Sequence, residues 1–166
     1  YAVILHNLGK LKDAEIYTRK AIETKPDFTE AHYNLGNILR DLGNLQEAEV
    51  SQRKAIKLNP DFANAYLNLG NILRDLGKLK DAELSYRKAI ELNPDFAEAH
   101  SNIGTILRDL GNLQEAEVST RKAIELNPDF ANAHSNLGSI LSDLGKSQEA
   151  FDAYLKVIEI NPTPSN

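Results

Sequence analysis

The chain has 166 residues, a net charge of −5 and no cysteine. The acidic balance argues against nucleic acid or an anionic membrane as a partner, because both require a basic surface, and the absence of cysteine excludes disulfides and thiolate metal sites. No apolar run reaches the ~20 residues of a membrane span, and the first residues do not show the basic-then-apolar pattern expected of a signal peptide. We therefore expect a cytoplasmic protein and, because Tyr1 falls inside a periodic apolar segment, a part of a longer one.

A repeat of 34 residues runs through the whole sequence. The run Asn-Pro-Asp-Phe occurs at 59–62, 93–96 and 127–130, and Leu-Gly recurs in phase, for example at Leu42-Gly43. Residues 29–62 and 97–130 differ at only six positions. We expect one continuous solenoid over residues 1–164, built from a partial unit with a truncated first helix and four full units: 1–28, 29–62, 63–96, 97–130 and 131–164.

Each unit is predicted to form two helices, as residues 29–62 illustrate. Apolar residues at helical spacing predict a first helix over 29–42, with Asp27 as N-cap and Glu30 completing a capping box. Gly43 lies where a left-handed residue ends a helix. The second helix is predicted over 45–58, and Pro60 ends it because the residue before a proline avoids the α region.

The period also predicts how the helices pack. A single hairpin cannot bury its own apolar stripe, so successive hairpins must stack, which predicts an all-α solenoid. Small residues at Gly36 and Ala48 allow the two helices of a hairpin to approach closely. Charged pairs at i,i+4 spacing are expected on the outer surface of the second helices: Glu49/Arg53, Glu83/Arg87 and Glu117/Arg121.

At these positions the sequence resembles the tetratricopeptide repeat family. With Thr29 as repeat position 1, the unit 63–96 supplies the pattern residues Tyr66, Leu69-Gly70, Leu73, Ala82, Tyr86, Ala89 and Pro94. The resemblance covers essentially the whole chain and implies a right-handed superhelix of antiparallel helix pairs that binds proteins or peptides. Position 24 departs from the aromatic residue of the pattern in Thr18, Gln52 and Thr120, which puts local packing there in doubt.

The closer resemblance is to the repeat region of O-linked N-acetylglucosamine transferases and related bacterial proteins. Its mark is asparagine at repeat position 6, which here gives Asn34, Asn68, Asn102 and Asn136. In that family these residues line the concave face and hold the backbone of an extended polypeptide, since an amide both donates and accepts hydrogen bonds. The alternative is that each asparagine satisfies only neighbouring groups or water.

Further concave positions follow from the same resemblance. The expected binding residues are Tyr33, Asn37, Arg40, Leu67, Asn71, Arg74 and Arg108. The arginines alternate with aspartates, so the rows either bind ligand or, as we favour, form solvated ion pairs that contribute little each. A clamp for a terminal carboxylate is not expected, because position 5 holds Tyr33, Leu67, Ser101 and Ser135 where that clamp needs lysine.

The sequence predicts no active site, no cofactor and no metal. Repeat position 4 holds His32, His100 and His134. Stacking of the repeats keeps these side chains apart, so they cannot all lie within the ~2 Å of one metal ion that coordination requires. Ser51, Ser85 and Ser119 also recur with the repeat and have no histidine partner in reach. The glycines follow the repeat and form no phosphate-binding loop.

Three functions remain open at this point. In the first, the chain is a protein- or peptide-binding scaffold. In the second, it is an accessory region that recruits substrates to a glycosyltransferase- or sulfotransferase-type domain elsewhere in the native protein. The third is self-association through uncapped ends, where Ile158 and Ile160 would leave apolar surface exposed.

Overall fold

The computed structural model describes residues 2–162. All regular structure in this range is helical, and the helices pair into hairpins. Within a hairpin, the two helices are joined by a three-residue turn such as 42–44. The helix bounds in chain order are Ala2–Asn7 (α1), Leu11–Thr24 (α2), Thr29–Asp41 (α3), Leu45–Leu58 (α4), Ala63–Asp75 (α5), Leu79–Leu92 (α6), Ala97–Asp109 (α7), Leu113–Leu126 (α8), Ala131–Asp143 (α9) and Ser147–Ile160 (α10).

The turn inside each hairpin is a Schellman motif. In the first full hairpin the amide of Asn44 donates to the Leu39 carbonyl (2.8 Å) and the amide of Gly43 donates to the Arg40 carbonyl (2.9 Å). Gly43 adopts φ +80°, a conformation that side chains with a Cβ rarely take. The predicted role of Gly43 is confirmed, and α3 ends at Asp41, one residue before the predicted end.

The predicted capping box at the start of α3 is wrong. The N-cap is Phe28, in extended conformation, and no side chain caps the helix. The Phe28 carbonyl accepts the amides of Ala31 and His32 instead, so Asp27 lies one residue too early to reach the free amides of the first turn.

The chain divides into two compact units, residues 1–92 and 93–166. In the first unit Leu35, Leu39 and Ala48 form a buried cluster that Ile72 of the next hairpin completes. In the second unit Leu137, Leu141, Ala150 and Ala153 form the corresponding cluster, with Ile124 of the preceding hairpin packed against it. Each cluster therefore buries side chains from successive hairpins, as stacking requires.

In the three hairpins from α3 to α8, a glycine of the first helix lies against a buried side chain at repeat position 24, and in the last hairpin Gly138 lies against Tyr154, which is 39% exposed. Gly36 lies over Gln52, Gly70 over the Tyr86 ring and Gly104 over Thr120. Gln52, Tyr86 and Thr120 are all fully buried. The polar residues at position 24 are thus accommodated inside the hairpin, and the helix bounds do not change around them.

The continuous solenoid over 1–164 stays a prediction, and its end residues Tyr1, Thr163 and Pro164 lie outside the described residues.

Candidate polypeptide-binding surface of the first helices

The predicted binding residues lie on the first helices of the hairpins, which are α1, α3 and α5 in the first unit and α7 and α9 in the second. Successive first helices contact each other within each unit, α3 with α5 and α7 with α9. We call this surface, taken in each unit by itself, the first-helix face. Its position-6 asparagines, Asn34, Asn68, Asn102 and Asn136, are all half-buried.

In the first unit, the asparagines join successive hairpins. The Asn68 side-chain amide donates to Asn37 Oδ1 (2.8 Å). The same oxygen accepts a hydrogen bond from Gln52 Nε2 (2.8 Å), which also donates to the Tyr33 carbonyl (3.1 Å). Asn37 is therefore held from two sides, and one N–H and the carbonyl oxygen of Asn68 have no partner in the described part of the chain.

In the second unit, the same position uses a different acceptor. The Asn136 side-chain amide donates to Ser101 Oγ (3.1 Å), which belongs to the preceding first helix. One N–H and the carbonyl oxygen of Asn136 likewise lack a partner among residues 2–162. At the other end of the chain, Asn34 lines a cavity of about 360 Å³ with Val3, Tyr17 and Phe28.

Three other predicted residues are largely covered. Leu67 is 4% exposed and Asn71 is 6% exposed, and Asn71 Oδ1 accepts the Tyr86 hydroxyl (2.7 Å). Tyr33 is half-buried, and its ring centroid lies 4.8 Å from that of Phe62. These side chains shape the first-helix face and offer little surface of their own to a ligand.

The arginines of the first-helix face form ion pairs. Arg40 Nε lies 2.8 Å from Asp75 Oδ2 of the next hairpin, and Arg74 contacts the other oxygen of Asp75 at 3.3 Å. Arg108 lies 3.3 Å from Asp109 and 3.6 Å from Asp143. This is the ion-pair arrangement favoured from the sequence, and it neutralises the arginines on a partly exposed surface.

The histidines at repeat position 4 bind the preceding turn. Nε2 lies 2.9 Å from the Pro26 carbonyl in His32, 2.8 Å from that of Pro94 in His100 and 2.7 Å from that of Pro128 in His134. Each histidine therefore fixes the turn that leads into its own helix. Among residues 2–162, no three His, Asp or Glu side chains are grouped in a way that could hold a metal ion.

The second helices carry the predicted charged pairs, and these extend between hairpins. Glu49 contacts Arg53 at 2.9 Å and Lys78 of the next hairpin at 2.7 Å. Glu117 contacts Arg121 at 2.9 Å and Lys146 at 2.8 Å. The Lys78 ammonium, followed by Arg53, holds the pKa of Glu49 below its usual value, and Lys146 with Arg121 does the same for Glu117.

Sequence reasoning did not predict that Gln52 would bond to Asn37, or that Ser101 at position 5 would bond to Asn136. Gln52 departs from an aromatic position, and Ser101 replaces Tyr33 between two almost identical repeats. Ser101 directly precedes Asn102, and this is a signal that the sequence offers; Gln52 is 15 residues from Asn37, and its signal is the departure from the aromatic residue of the pattern.

These features define a class: an all-α array of helical hairpins whose first helices present a polar, charge-neutralised face. The tetratricopeptide repeat model matches residues 63–96, 97–130 and 131–164, and related models described as tetratricopeptide or TPR repeats match 1–28, 17–50 and 36–73. The chain belongs to the tetratricopeptide repeat family, and the predicted all-α solenoid fold is confirmed.

Solved structures agree with this fold. MamA has 24% identity and a TM-score of 0.85, covering 96% of this chain and 94% of its own, which shows likeness of fold alone. YrrB, described as a TPR protein with an unusual peptide-binding site, has 27% identity and a TM-score of 0.78, covering 98% of this chain and 84% of its own. A thermophilic TPR protein of Thermus thermophilus, TTC0263, has 25% identity and a TM-score of 0.80, covering 98% of this chain and 89% of its own.

No curated protein sequence matches the chain at a significant level. None of the helices in the described range is both long and apolar enough to cross a membrane. The resemblance to O-linked N-acetylglucosamine transferases stays a prediction.

Proposed function

We propose that the chain is a non-catalytic scaffold whose first-helix face binds an extended polypeptide. The observation that carries this proposal is the state of Asn68 and Asn136. Each gives one N–H to the preceding hairpin and keeps one N–H and a carbonyl oxygen for a ligand. An amide held in this way can pair with a peptide group whatever side chain the ligand carries.

The electrostatics of the face support a backbone ligand. Arg40, Arg74 and Arg108 are all paired with aspartates, so no concentrated positive charge selects a terminal carboxylate or an acidic side chain. The relation to YrrB, itself described as having a peptide-binding site, is consistent with a polypeptide ligand.

The test uses extended peptides selected on the wild-type chain from a display library. Asn68→Ala combined with Asn136→Ala removes both free amides and should weaken binding about tenfold, since each net hydrogen bond contributes roughly 0.5–1.5 kcal/mol. Titration calorimetry measures the affinity, and circular dichroism checks the fold.

The matched control is Asn44→Ala combined with Asn112→Ala. These asparagines are exposed and precede the second helices, where their side chains make no capping bond. The control should bind the peptides as the wild type does. Equal affinity of the Asn68/Asn136 variant, with its helices intact, contradicts the proposal.

A second candidate keeps the same face and adds a catalytic domain. As an accessory region of a glycosyltransferase- or sulfotransferase-type enzyme, the chain would deliver a bound polypeptide to that domain. The asparagine pattern shared with O-linked N-acetylglucosamine transferases favours it. The coding sequence that flanks this chain decides the matter, because this candidate requires a transferase domain encoded beside it.

A third candidate is self-association through the ends. Of the two residues that the sequence analysis expected to be exposed, Ile158 is 61% exposed and Ile160 is half-buried. Ile4 is 60% exposed, whereas the equivalent Ile38 is 1% exposed. A second copy could cover this apolar surface. Sedimentation velocity over a wide concentration range should then show assembly, and a strict monomer excludes it.

A further inference from the structure

Three side-chain amides of the first unit form a chain of hydrogen bonds whose direction is fixed. The Tyr33 carbonyl is a backbone oxygen and can only accept, so the end of the Gln52 side chain that lies 3.1 Å from it must be the NH2 group. The same group donates to Asn37 Oδ1 (2.8 Å), and the Asn68 NH2 group donates to that oxygen as well (2.8 Å). No amide of the three can turn around without setting two donors or two acceptors against each other.

The fixed direction makes Asn37 a donor toward any ligand. Asn37 is half-buried and its oxygen accepts from both neighbours, while its NH2 group makes no hydrogen bond within residues 2–162. The first-helix face therefore carries a group that only donates, next to the Asn68 amide, which still has one N–H and one oxygen to offer. An unused donor on a half-buried surface favours a ligand that brings an acceptor oxygen.

The residue that fixes this direction is an unfavourable one for packing. Gln52 is fully buried at the position where Tyr86 fills the next hairpin, and Gln52 Oε1 has no hydrogen-bond partner in the part of the chain that the structure describes. A buried unpaired oxygen costs free energy, and proteins retain such costs mainly at functional sites. The hydrogen bond to Asn37 is the contribution of Gln52 that a packing residue would not make.

The almost identical repeat in the second unit lacks both members of this pair. Thr105 takes the place of Asn37, and its hydroxyl donates to a carbonyl of its own helix (3.4 Å). Thr120 takes the place of Gln52 and likewise donates within its own helix (2.8 Å). Two of the six differences between these repeats therefore change the positioned donor and the residue that positions it, and they change together.

We propose that Gln52 is a positioning residue of the first-helix face, and that Asn37, oriented by it, donates to a neutral carbonyl oxygen of the bound polypeptide. This inference rests on the proposed function, because it concerns the same face and the same ligand. A carbonyl fits better than a carboxylate. Arg40 of the same helix is already paired with Asp75, so a carboxylate would lose water without gaining a counter-charge. The oxygen belongs to the ligand backbone or to an asparagine or glutamine side chain, which present the same chemical group.

The experiment uses extended peptides that are selected on the wild-type chain and bind more weakly to the Asn68/Asn136 variant. Asn37→Asp replaces the NH2 group by an oxygen and keeps the oxygen that accepts from Gln52 and Asn68. The affinity for these peptides should fall about tenfold or more, because an oxygen would then face the ligand oxygen. Titration calorimetry measures the affinity, and circular dichroism shows whether the helices are intact.

A second variant, Gln52→Leu, tests the positioning role. It removes the donor that orients Asn37 and fills the same space with an apolar side chain, so the hairpin should form and the affinity should fall roughly fivefold. Because Gln52 acts through Asn37, adding Gln52→Leu to Asn37→Asp should cause no further loss, whereas a purely structural role would add its own loss. Thr120→Val is the matched control at the equivalent buried position of α8, and it should leave the affinity unchanged.

Alanine substitutions in the peptide identify the carbonyl. If a side chain is bound, replacing one asparagine or glutamine of the peptide should abolish the difference in affinity between the wild type and Asn37→Asp. If the backbone is bound, no single replacement should do so. Wild-type affinity of Asn37→Asp or of Gln52→Leu, or additive losses in the double variant, overturns this inference and leaves the site on the first-helix face standing. If no selected peptide responds to the Asn68/Asn136 variant, the proposed function fails and this inference fails with it.

Discussion

The α3–α4 and α5–α6 hairpins fill the space between their helices in different ways. In α5–α6, the Tyr86 ring lies under Gly70 and its hydroxyl donates to Asn71. In α3–α4, Gln52 lies under Gly36 and donates to Asn37 and to the Tyr33 carbonyl. The Gln52 carbonyl oxygen is buried and has no hydrogen-bond partner among the described residues.

The hairpin backbone accommodates either a tyrosine or a glutamine between its helices with almost no change in helix bounds. The two hairpins therefore differ in the free energy of their packing and hydrogen bonding. A buried tyrosine satisfies its one polar group, whereas a buried glutamine leaves one oxygen unpaired, a state that costs free energy. Gln52 gains something in return, because its bond to Asn37 helps to hold the acceptor that Asn68 uses. The α3–α4 hairpin thus has a less favourable buried side chain than α5–α6, but that side chain makes a hydrogen bond to the first-helix face.

The largest effect on stability is expected when Tyr86 of α5–α6 is replaced by glutamine, the residue that α3–α4 has at this position. Tyr86→Gln removes most of a fully buried ring and leaves space beneath Gly70. We expect the free energy of unfolding to fall by about 3 kcal/mol, as for other deletions of large buried side chains. Urea denaturation followed by circular dichroism measures it, and a loss below that of an exposed substitution such as Val50→Ala would contradict the comparison.

The next largest effect is the difference in stability between alanine substitutions at Gly70 and at Gly36. A Cβ at Gly70 would lie 2.5 Å from Cε1 of the rigid Tyr86 ring, whereas a Cβ at Gly36 would meet the flexible end of Gln52 at 2.7 Å. Gly70→Ala should therefore cost about 2 kcal/mol more than Gly36→Ala, since overpacking against a fixed group is relieved only by moving the helices. Thermal unfolding of the two variants, which share the same gain in helix propensity, gives the difference directly.

A smaller and opposite effect is expected from Gln52→Tyr. The change removes the unpaired Gln52 oxygen and allows a hydroxyl to reach Asn37, as Tyr86 reaches Asn71. We expect a gain in the free energy of unfolding of about 1 kcal/mol. The same urea experiment measures it. A loss of stability would mean that the link from Gln52 to Tyr33 and Asn37 outweighs the buried oxygen.

The smallest effect concerns the charged junction on the second helices. Lys78→Gln removes the main cause of the lowered pKa of Glu49, so this pKa should rise toward its ordinary value. A lowered pKa contributes stability above the unfolded pKa, and that stability is lost as the pH falls through the folded pKa. At neutral pH the free energy of unfolding of the variant should therefore be about 0.5 kcal/mol lower than that of the wild type. On acidification the variant should lose less stability than the wild type loses.

NMR titration of the Glu49 carboxyl carbon gives the pKa directly. Lys146→Gln is the matched control, because it acts on Glu117 and should leave Glu49 unchanged. A Glu49 titration that is identical in the wild type and the Lys78 variant would contradict the assigned cause.

The repeat made most of the fold predictable. The 34-residue period, Gly43 and Pro60 placed the second helix at its observed bounds, Leu45–Leu58, because turn and breaker signals act locally. The helix start at Thr29 was predicted, but its N-cap was predicted wrongly as Asp27, because Phe28 caps through its backbone alone and leaves no side-chain signal.

The candidate surface was less predictable. The sequence indicated which residues share the first-helix face, but it did not show that Leu67 and Asn71 would be covered or that Gln52 would reach Asn37. Those facts depend on contacts across 15 or more residues, where small differences in side-chain length decide which group is buried. Whether the asparagines bind a polypeptide stays a prediction.

The charged junctions have a consequence for how such a gene could lengthen or shorten. Lys78 bridges to Glu49 and Lys146 to Glu117. Their repeat position alternates between lysine and asparagine: Lys10, Asn44, Lys78, Asn112 and Lys146. Loss of residues 63–96 alone would place Asn112 beside Glu49 and remove an ionic bridge. Loss of residues 29–96 would instead set Asn112 where Asn44 now stands, beside Glu15, and would keep the alternation of lysine and asparagine. A change of two repeats therefore preserves this alternation, whereas a change of one repeat breaks it.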